Sequence, residues 1–278
     1  MYFHTLELSA DEVKVEHIDN WWEAIKKLFI DYLSTLRIRA FRRQLGVYMF
    51  GKGSVDLYTA VFTYYILFAM KKPATLVSGI NSMAAILQLG ATAVFRVVMT
   101  KKGFKWPFTA CLCVIMASVV AYACLYWFHV TNTAAIIFVA VFISTFIGGV
   151  YYTPWAIYPF IPDVDEAVAN RRREGVYSAA MTLCGRLMQA CDVFVMGMVL
   201  NHFGFVKSAK VQPTSAVRAI IGVCFMATVG LILVWKLNLN KHTHTILMNE
   251  IKRVHDGGSM ADVTPEARAV VEDLTGWK

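Results

Sequence analysis

The chain has 278 residues, is 57% hydrophobic and 13% aromatic, and carries only 17% charged residues with a formal net charge of +8. So small a polar fraction cannot cover a soluble core, which excludes an ordinary water-soluble domain and leaves a membrane protein whose surface is covered by lipid. The positive balance alone would suit a nucleic-acid binder, but the basic residues cluster at the ends of apolar segments, which is the pattern of a membrane protein and not of a nucleic-acid site.

Residues 1–20 are polar and partly acidic and lack the apolar core of a signal peptide. Residues 19–36, DNWWEAIKKLFIDYLSTL, repeat apolar side chains at helical spacing through Trp21, Ile25, Leu28, Phe29, Tyr32 and Leu36. Lys26 and Lys27 lie off the centre of that stripe, so the segment reads as a helix lying on the cytoplasmic membrane surface or packed on protein. Residues 1–42 are thus expected to form a cytoplasmic linker containing an amphipathic helix.

Six apolar segments follow, at about 43–70, 74–99, 106–128, 133–161, 175–201 and 214–236, each long enough to cross a bilayer as a helix. Backbone groups in lipid must pair internally, and barrel strands would be shorter and would alternate in polarity, so the fold class is all-α. Nineteen basic residues flank one side of these spans and four, Lys71, Lys72, Lys207 and Lys210, flank the other. Positive residues stay inside, which places both termini in the cytoplasm of a plasma (inner) membrane.

Within the spans, polarity is not random. In the first, Tyr48, Lys52, Asp56, Thr59 and Thr63 fall within a sector of about 80° at 100° per residue. Lys52 and Asp56 are four apart and can pair. Charges there must face a bundle interior or a wet cavity, with helix gluing as the plainer alternative. In the second, Ser78, Asn81, Ser82, Gln88, Thr92 and Arg96 share a face about 120° wide. The fourth ends YYTPWAIYPFIP, where Pro154, Pro159 and Pro162 are expected to strain the helix and Tyr151, Tyr152, Trp155 and Tyr158 supply aromatic faces. Such broken aromatic helices line transporter cavities; an interfacial aromatic belt is the other reading. The fifth carries Thr182, Arg186, Gln189 and Asp192. Arg186 lies near mid-bilayer, which makes it a site candidate. It either serves substrate or neutralises Asp56 across the bundle. Asp192 is about 120° from Arg186 around the helix and is not expected to pair with it.

Between the fourth and fifth spans lies a charged knot, PDVDEAVANRRREG, residues 162–175, expected as a cytoplasmic loop. The tail, 237–278, starts polar; Gly257 and Gly258 should end a helix begun near His242, and Thr264-Pro265-Glu266 should start another. The six cysteines, Cys111, Cys113, Cys124, Cys184, Cys191 and Cys224, all sit in apolar segments and read as buried small hydrophobes. No metal site is expected. His242 and His244 are too weak a pattern for one, and no HExxH, GxSxG or intramembrane acidic cluster points to an enzyme.

The stretch DVDEAVANRRREGVYSAAMTLCGRLMQA resembles the corresponding loop and helix of the glycoside–pentoside–hexuronide:cation symporters, the melibiose permease group of the major facilitator superfamily. The pattern is carried by Asp163, Asp165, Glu166, Arg171, Arg172, Arg173, Glu174, Gly175, Thr182, Arg186 and Gln189. The tail (HTHTILMNEIKRVHDGG, then TPEARAVVEDLTG) and KKLFIDYLSTLRIRAFRRQL are similar to the end and the central linker of these proteins.

The resemblance implies the second six-helix half of a twelve-span transporter. It also implies sugar-binding or coupling roles for Trp155, Thr182 and Arg186, the last an arginine where the family has lysine. The expected substrate-facing set is Lys52, Asp56, Gln88, Trp155, Thr182, Arg186 and Gln189. The expected cytoplasmic gate is Asp163, Asp165, Glu166, Arg171, Arg172, Arg173 and Glu174, whose acidic and basic ends pair with each other or with the other half. No cofactor is implied; a coupling cation, Na+ or H+, would bind largely on the missing half. Expected partners are the bilayer, a sugar or glycoside, and a first-half chain or a second copy. The alternative is a non-transporting interaction or sensory module that kept the fold.

Overall fold

A computed structural model of the chain describes residues 21–128, 132–169, 173–202, 213–237, 241–255 and 263–276, and every element among them is helical. α1 (Trp21–Thr35) precedes α2 (Arg39–Tyr64), which widens at its end into a π-helical turn, Tyr65–Ala69. Then come α3 (Ala74–Lys102), α4 (Lys105–Trp127), α5 (Thr133–Ile157), α6 (Phe160–Ala169), α7 (Glu174–His202), α8 (Pro213–Lys236), α9 (Lys241–His255) and α10 (Pro265–Thr275). Local chemistry sets several of these ends. Asn132 caps α5 by accepting from the Ala134 N–H at 2.9 Å. Thr264 caps α10 with Pro265 at the first position, and Gly276 closes it in the left-handed region (φ 81°).

α2 is the centre of the bundle. Its buried residues, Phe41, Gln44, Val47, Tyr48, Val55 and Tyr58 among them, point several ways instead of forming one stripe. α8 runs along it, and α4, α5 and α7 flank it. The approach is close: a Cβ at Gly51 would stand 2.8 Å from Phe108 Cζ and 3.2 Å from Val150 Cγ1. Small residues of this kind let helices pack where lipid supplies no hydrophobic drive between them. α3 crosses α5 in the same manner, with Gly148 against the Gln88 backbone.

Among the described residues, four helical stretches are long and apolar enough to cross a membrane: Ala74–Lys102, Lys105–Leu125, Thr133–Asp165 and Glu174–Met198. Gly222–Lys236 is a shorter apolar helix. α2 is not among them, because its three N-terminal arginines, Lys52 and Asp56 dilute its apolar content. It is enclosed by protein instead. Large apolar side chains remain outward on α3 (Met83, Ile86, Leu89) and α7 (Leu187, Val193, Phe194), as a lipid-covered surface requires. The chain is a multi-pass membrane protein.

At one end α6, α9 and α10 pack on one another and against the N-terminal end of α2, and α1 packs on α7. α1 keeps Trp21, Trp22, Ile25, Phe29, Ile30 and Leu33 exposed. The description of the Leu28 side chain and of residues 1–20 lies outside the described residues.

Three expectations need correction. The acidic half of the charged knot is not loop: α6 spans Phe160–Ala169, and Pro162 is tolerated because it falls in the first turn, where its N–H has no intrahelical partner to lose. Pro154 does not break its helix either. α5 runs through it and stops only before Tyr158 and Pro159, and the Pro154 carbonyl is held by the buried Gln44 amide at 2.9 Å. The six thiols are free, but only Cys111 is fully buried; Cys184 and Cys224 are half-buried, and Cys113, Cys124 and Cys191 are exposed on the bundle's outer surface. An apolar helix facing lipid accepts a cysteine there as readily as in a core.

Candidate functional site

The i, i+4 spacing on α2 brings Lys52 onto Asp56, and the ammonium donates to Asp56 Oδ2. From α5 the Tyr151 hydroxyl donates to Asp56 Oδ1 at 3.2 Å. Both carboxylate oxygens are therefore occupied, and the side chains of Lys52 and Asp56 are only 14% and 16% exposed. A pair so placed survives because the charges neutralise each other and the remaining lone pairs are bonded.

Next to this triad, α2, α3 and α5 enclose a cavity of about 250 Å³. Thr59, Asn81, Gln88, Ser144 and Tyr151 give it a polar lining against Val55, Phe62 and Ile80. The Thr59 and Ser144 hydroxyls are turned to their own helices, donating to Val55 O and Ala140 O at 2.9 and 2.7 Å. The amides of Asn81 and Gln88 are the cavity's polar heads. Small-molecule sites enclose about 300–1,000 Å³, so this cavity is slightly smaller than that range.

A second cluster sits one turn to the N-terminal side on α2. The Tyr48 ring meets Trp155 edge-on, with centroids 6.0 Å apart, and Trp155 meets Tyr158 at 5.9 Å. Tyr48 reaches across to α7, where Gly185 makes room for it: a Cβ there would lie 2.5 Å from the Tyr48 hydroxyl. Arg186, next along α7, is exposed and donates to Gln189 Oε1 at 3.3 Å. Thr182 is exposed one turn before it. The competing idea that Arg186 neutralises Asp56 is overturned, since Lys52 and Tyr151 hold that carboxylate and Arg186 bonds within its own helix.

The charged end forms a third group. Asp165 is buried and receives two hydrogen bonds from Arg173, at 2.9 and 3.0 Å, while the same guanidinium donates to Ser34 of α1 at 3.0 Å. Its hydrogen bonds to Asp165 hold the Arg173 guanidinium above its ordinary pKa, so it is charged at every accessible pH. Asp163, equally buried, meets His244 Nε2 of α9 at 2.8 Å, and Phe160 packs on that imidazole at 4.3 Å between centroids. Asp273 of α10 pairs with Arg43 at 3.2 Å. Tyr158 donates to the Glu174 carbonyl. Arg171, Arg172 and the side chain of Glu166 lie outside the described residues.

A protein-family profile described as MFS/sugar transport protein matches residues 9–241. The chain belongs to that family. It is also 23% identical, over 269 residues, to an uncharacterized symporter of Synechocystis sp.. That alignment covers 89% of this chain and 48% of the relative, so the chain spans about half the length of the curated relative it matches. Family and relative are transporters, which argues against an enzyme.

Of the substrate-facing set, Gln88 lines the cavity, Lys52 and Asp56 reach it only through Tyr151, Trp155 meets Tyr48, and Arg186 bonds Gln189 on α7, with Thr182 exposed one turn before it. Two residues outside that set join the groups. Tyr151 stands exactly one i, i+4 step before Trp155 and so shares its face of α5. Tyr48 belonged to the same polar stripe as Lys52. Asn81 was visible in the polar face of α3, and only the cavity distinguishes it from Ser78 and Ser82.

Proposed function

We propose that the chain is the second six-helix half of a cation-coupled sugar or glycoside transporter, with α2, α3, α4, α5, α7 and α8 crossing a plasma (inner) membrane and both ends in the cytoplasm. The observation that carries this reading is the polar-lined cavity whose Tyr151 donates to the Lys52-paired Asp56, in a chain that belongs to a sugar transport family. Asn81 and Gln88 offer amides to sugar hydroxyls, and Trp155, 40% exposed, offers a ring face. Arg186 has a planar fork suited to a hexuronide carboxylate. The name of the Synechocystis relative, a symporter, favours cation coupling.

The other wall of the chamber comes from a separate first-half chain or a second copy. The charged end works as the cytoplasmic gate. Its pairs are hydrogen-bonded ion pairs at the protein's edge, strong enough to hold the cytoplasmic side shut and weak enough to separate when the site opens inward. The skew of basic residues supports the orientation.

The test is transport. The tagged chain is purified from its native membrane in mild detergent with whatever it retains, reconstituted, and offered a panel of labelled hexoses, pentosides and hexuronides under proton and sodium gradients. Accumulation of at least one member by a preparation containing a first-half partner is expected. Tight vesicles that accumulate none under either gradient contradict the reading.

A further inference from the structure

Asp192 plays no part in the cavity or the gate, yet it is a carboxyl buried on a long helix of the bundle. It lies on α7 with 5% of its surface exposed, and its Oδ2 has no hydrogen-bond partner among the described residues. At Gly53 of α2, a Cβ would stand 3.2 Å from Asp192 Oδ2, 3.0 Å from the Met188 methyl and 2.6 Å from the Met226 methyl. The charged groups that face it come from α2 and are Lys52 and Asp56. α8 contributes Met226, and on α7 itself Arg186 turns to Gln189 at the exposed side.

The charge count decides what this carboxyl can be. One ammonium, Lys52, stands near two carboxyls and is bonded to Asp56. An ionised Asp192 would then be a buried anion with an unbonded oxygen, a state proteins avoid by protonation. A sodium ion is a poor substitute. Hard cations require several oxygen ligands; the groups that meet Asp192 at Gly53 are the Met188 and Met226 methyls, and the nearby Asp56 is already bonded to Lys52 and Tyr151. Lys52 is adjacent in sequence to Gly53, the residue against which Asp192 packs, and its charge acts on Asp192 as well as on Asp56.

We propose that Asp192 is a proton-binding site, neutral while Lys52 is held by Asp56, and that its ionisation draws Lys52 off Asp56, the carboxylate that Tyr151 of the cavity lining holds. The step is an acid–base exchange: the Asp192 O–H bond breaks, the proton passes to water, and the carboxylate accepts a hydrogen bond from Lys52. Asp56 is then left with Tyr151 alone beside the cavity. The coupling of this step to sugar rests on the transporter reading above; the existence of the proton site does not.

Infrared difference spectroscopy of the full chain in lipid, stepped in pH, reads the site directly. A protonated-carboxyl C=O band should disappear at high pH, be missing in Asp192→Asn, and be displaced but present in Asp192→Glu, which controls for misfolding of the amide variant. No titrating band in the wild type, or one that survives Asp192→Asn, overturns the proposal. In the reconstituted complex, sugar-driven proton uptake should be lost in Asp192→Asn; its persistence overturns the coupling. A wild-type complex that moves no sugar while the band still titrates sinks the transporter reading and leaves the proton site standing.

Discussion

Two charged networks in this molecule are built on opposite plans. Lys52 and Asp56 sit mid-way along one helix, four residues apart, and need little beyond α2 itself to meet; Tyr151 adds one hydrogen bond from α5. The network at the end of the bundle needs four elements: α6 supplies Asp163 and Asp165, the following turn supplies Arg173, α1 supplies Ser34, and α9 supplies His244. The first is a local arrangement placed where water is scarce. The second is a tertiary arrangement at the protein's edge. A helix that carries its own counter-charge into a membrane arrives neutral, and so it remains intact whichever way its neighbours move. A network that joins several elements breaks when they separate, which suits a gate and not a binding wall.

The comparison is broken most severely by removing one charge of the inner pair. Lys52→Met leaves Asp56 buried with Tyr151 as its remaining partner, and loss of one member of a buried pair costs about 3–5 kcal/mol. Melting of the purified chain in detergent should show that loss, and the double variant Lys52→Met, Asp56→Leu should recover most of it. A single variant as stable as wild type would mean the pair is not buried as described.

The outer network should respond less. Arg173→Ala removes a charged hydrogen-bond donor from Asp165, with an expected loss of about 1.5–3 kcal/mol. Because the broken contacts join α6 and α1, the loss should show first as proteolysis within residues 162–175, before the bundle itself melts. Arg173→Lys should recover only part, since an ammonium cannot hold both oxygens in a fork. Cleavage unchanged in Arg173→Ala would separate this turn from the gate.

Much of this was legible in the sequence, and the limits have physical causes. Helical segments were legible because apolar runs in lipid have one way to satisfy their backbone. Lys52–Asp56 was legible because i, i+4 is a rule of a single helix. α6 was not: three prolines within nine residues read as a break, whereas one is absorbed inside α5, one lies at the junction and one falls in a first turn. The partner of Arg186 was not legible, because the choice between Asp56 and its own helix depends on how α7 is rotated against α2. The same rotation turns Asp192 inward and leaves Cys191 outside. The partner of His244, Asp163, was not legible because it lies 81 residues away in sequence and only folding brings α9 to α6.

The smallest expected effect sharpens the comparison. Tyr151→Phe deletes the one hydrogen bond that the inner pair receives from another helix, worth about 0.5–1.5 kcal/mol. Stability should fall by no more than that, while sugar affinity should fall in the same variant, because Tyr151 lines the cavity. A change in stability with affinity untouched would leave Tyr151 as a packing residue only.

Whether the cavity between α2, α3 and α5 faces the substrate is tested most directly by protection. In the reconstituted complex, a cysteine placed at Asn81 is alkylated by a polar, membrane-impermeant thiol reagent in the presence and absence of the transported sugar, with a cysteine at Glu266 on α10 as the distant control. Sugar should slow the reaction at position 81 and leave position 266 unchanged. Equal rates at position 81 with and without sugar would contradict the assignment of this cavity to the substrate.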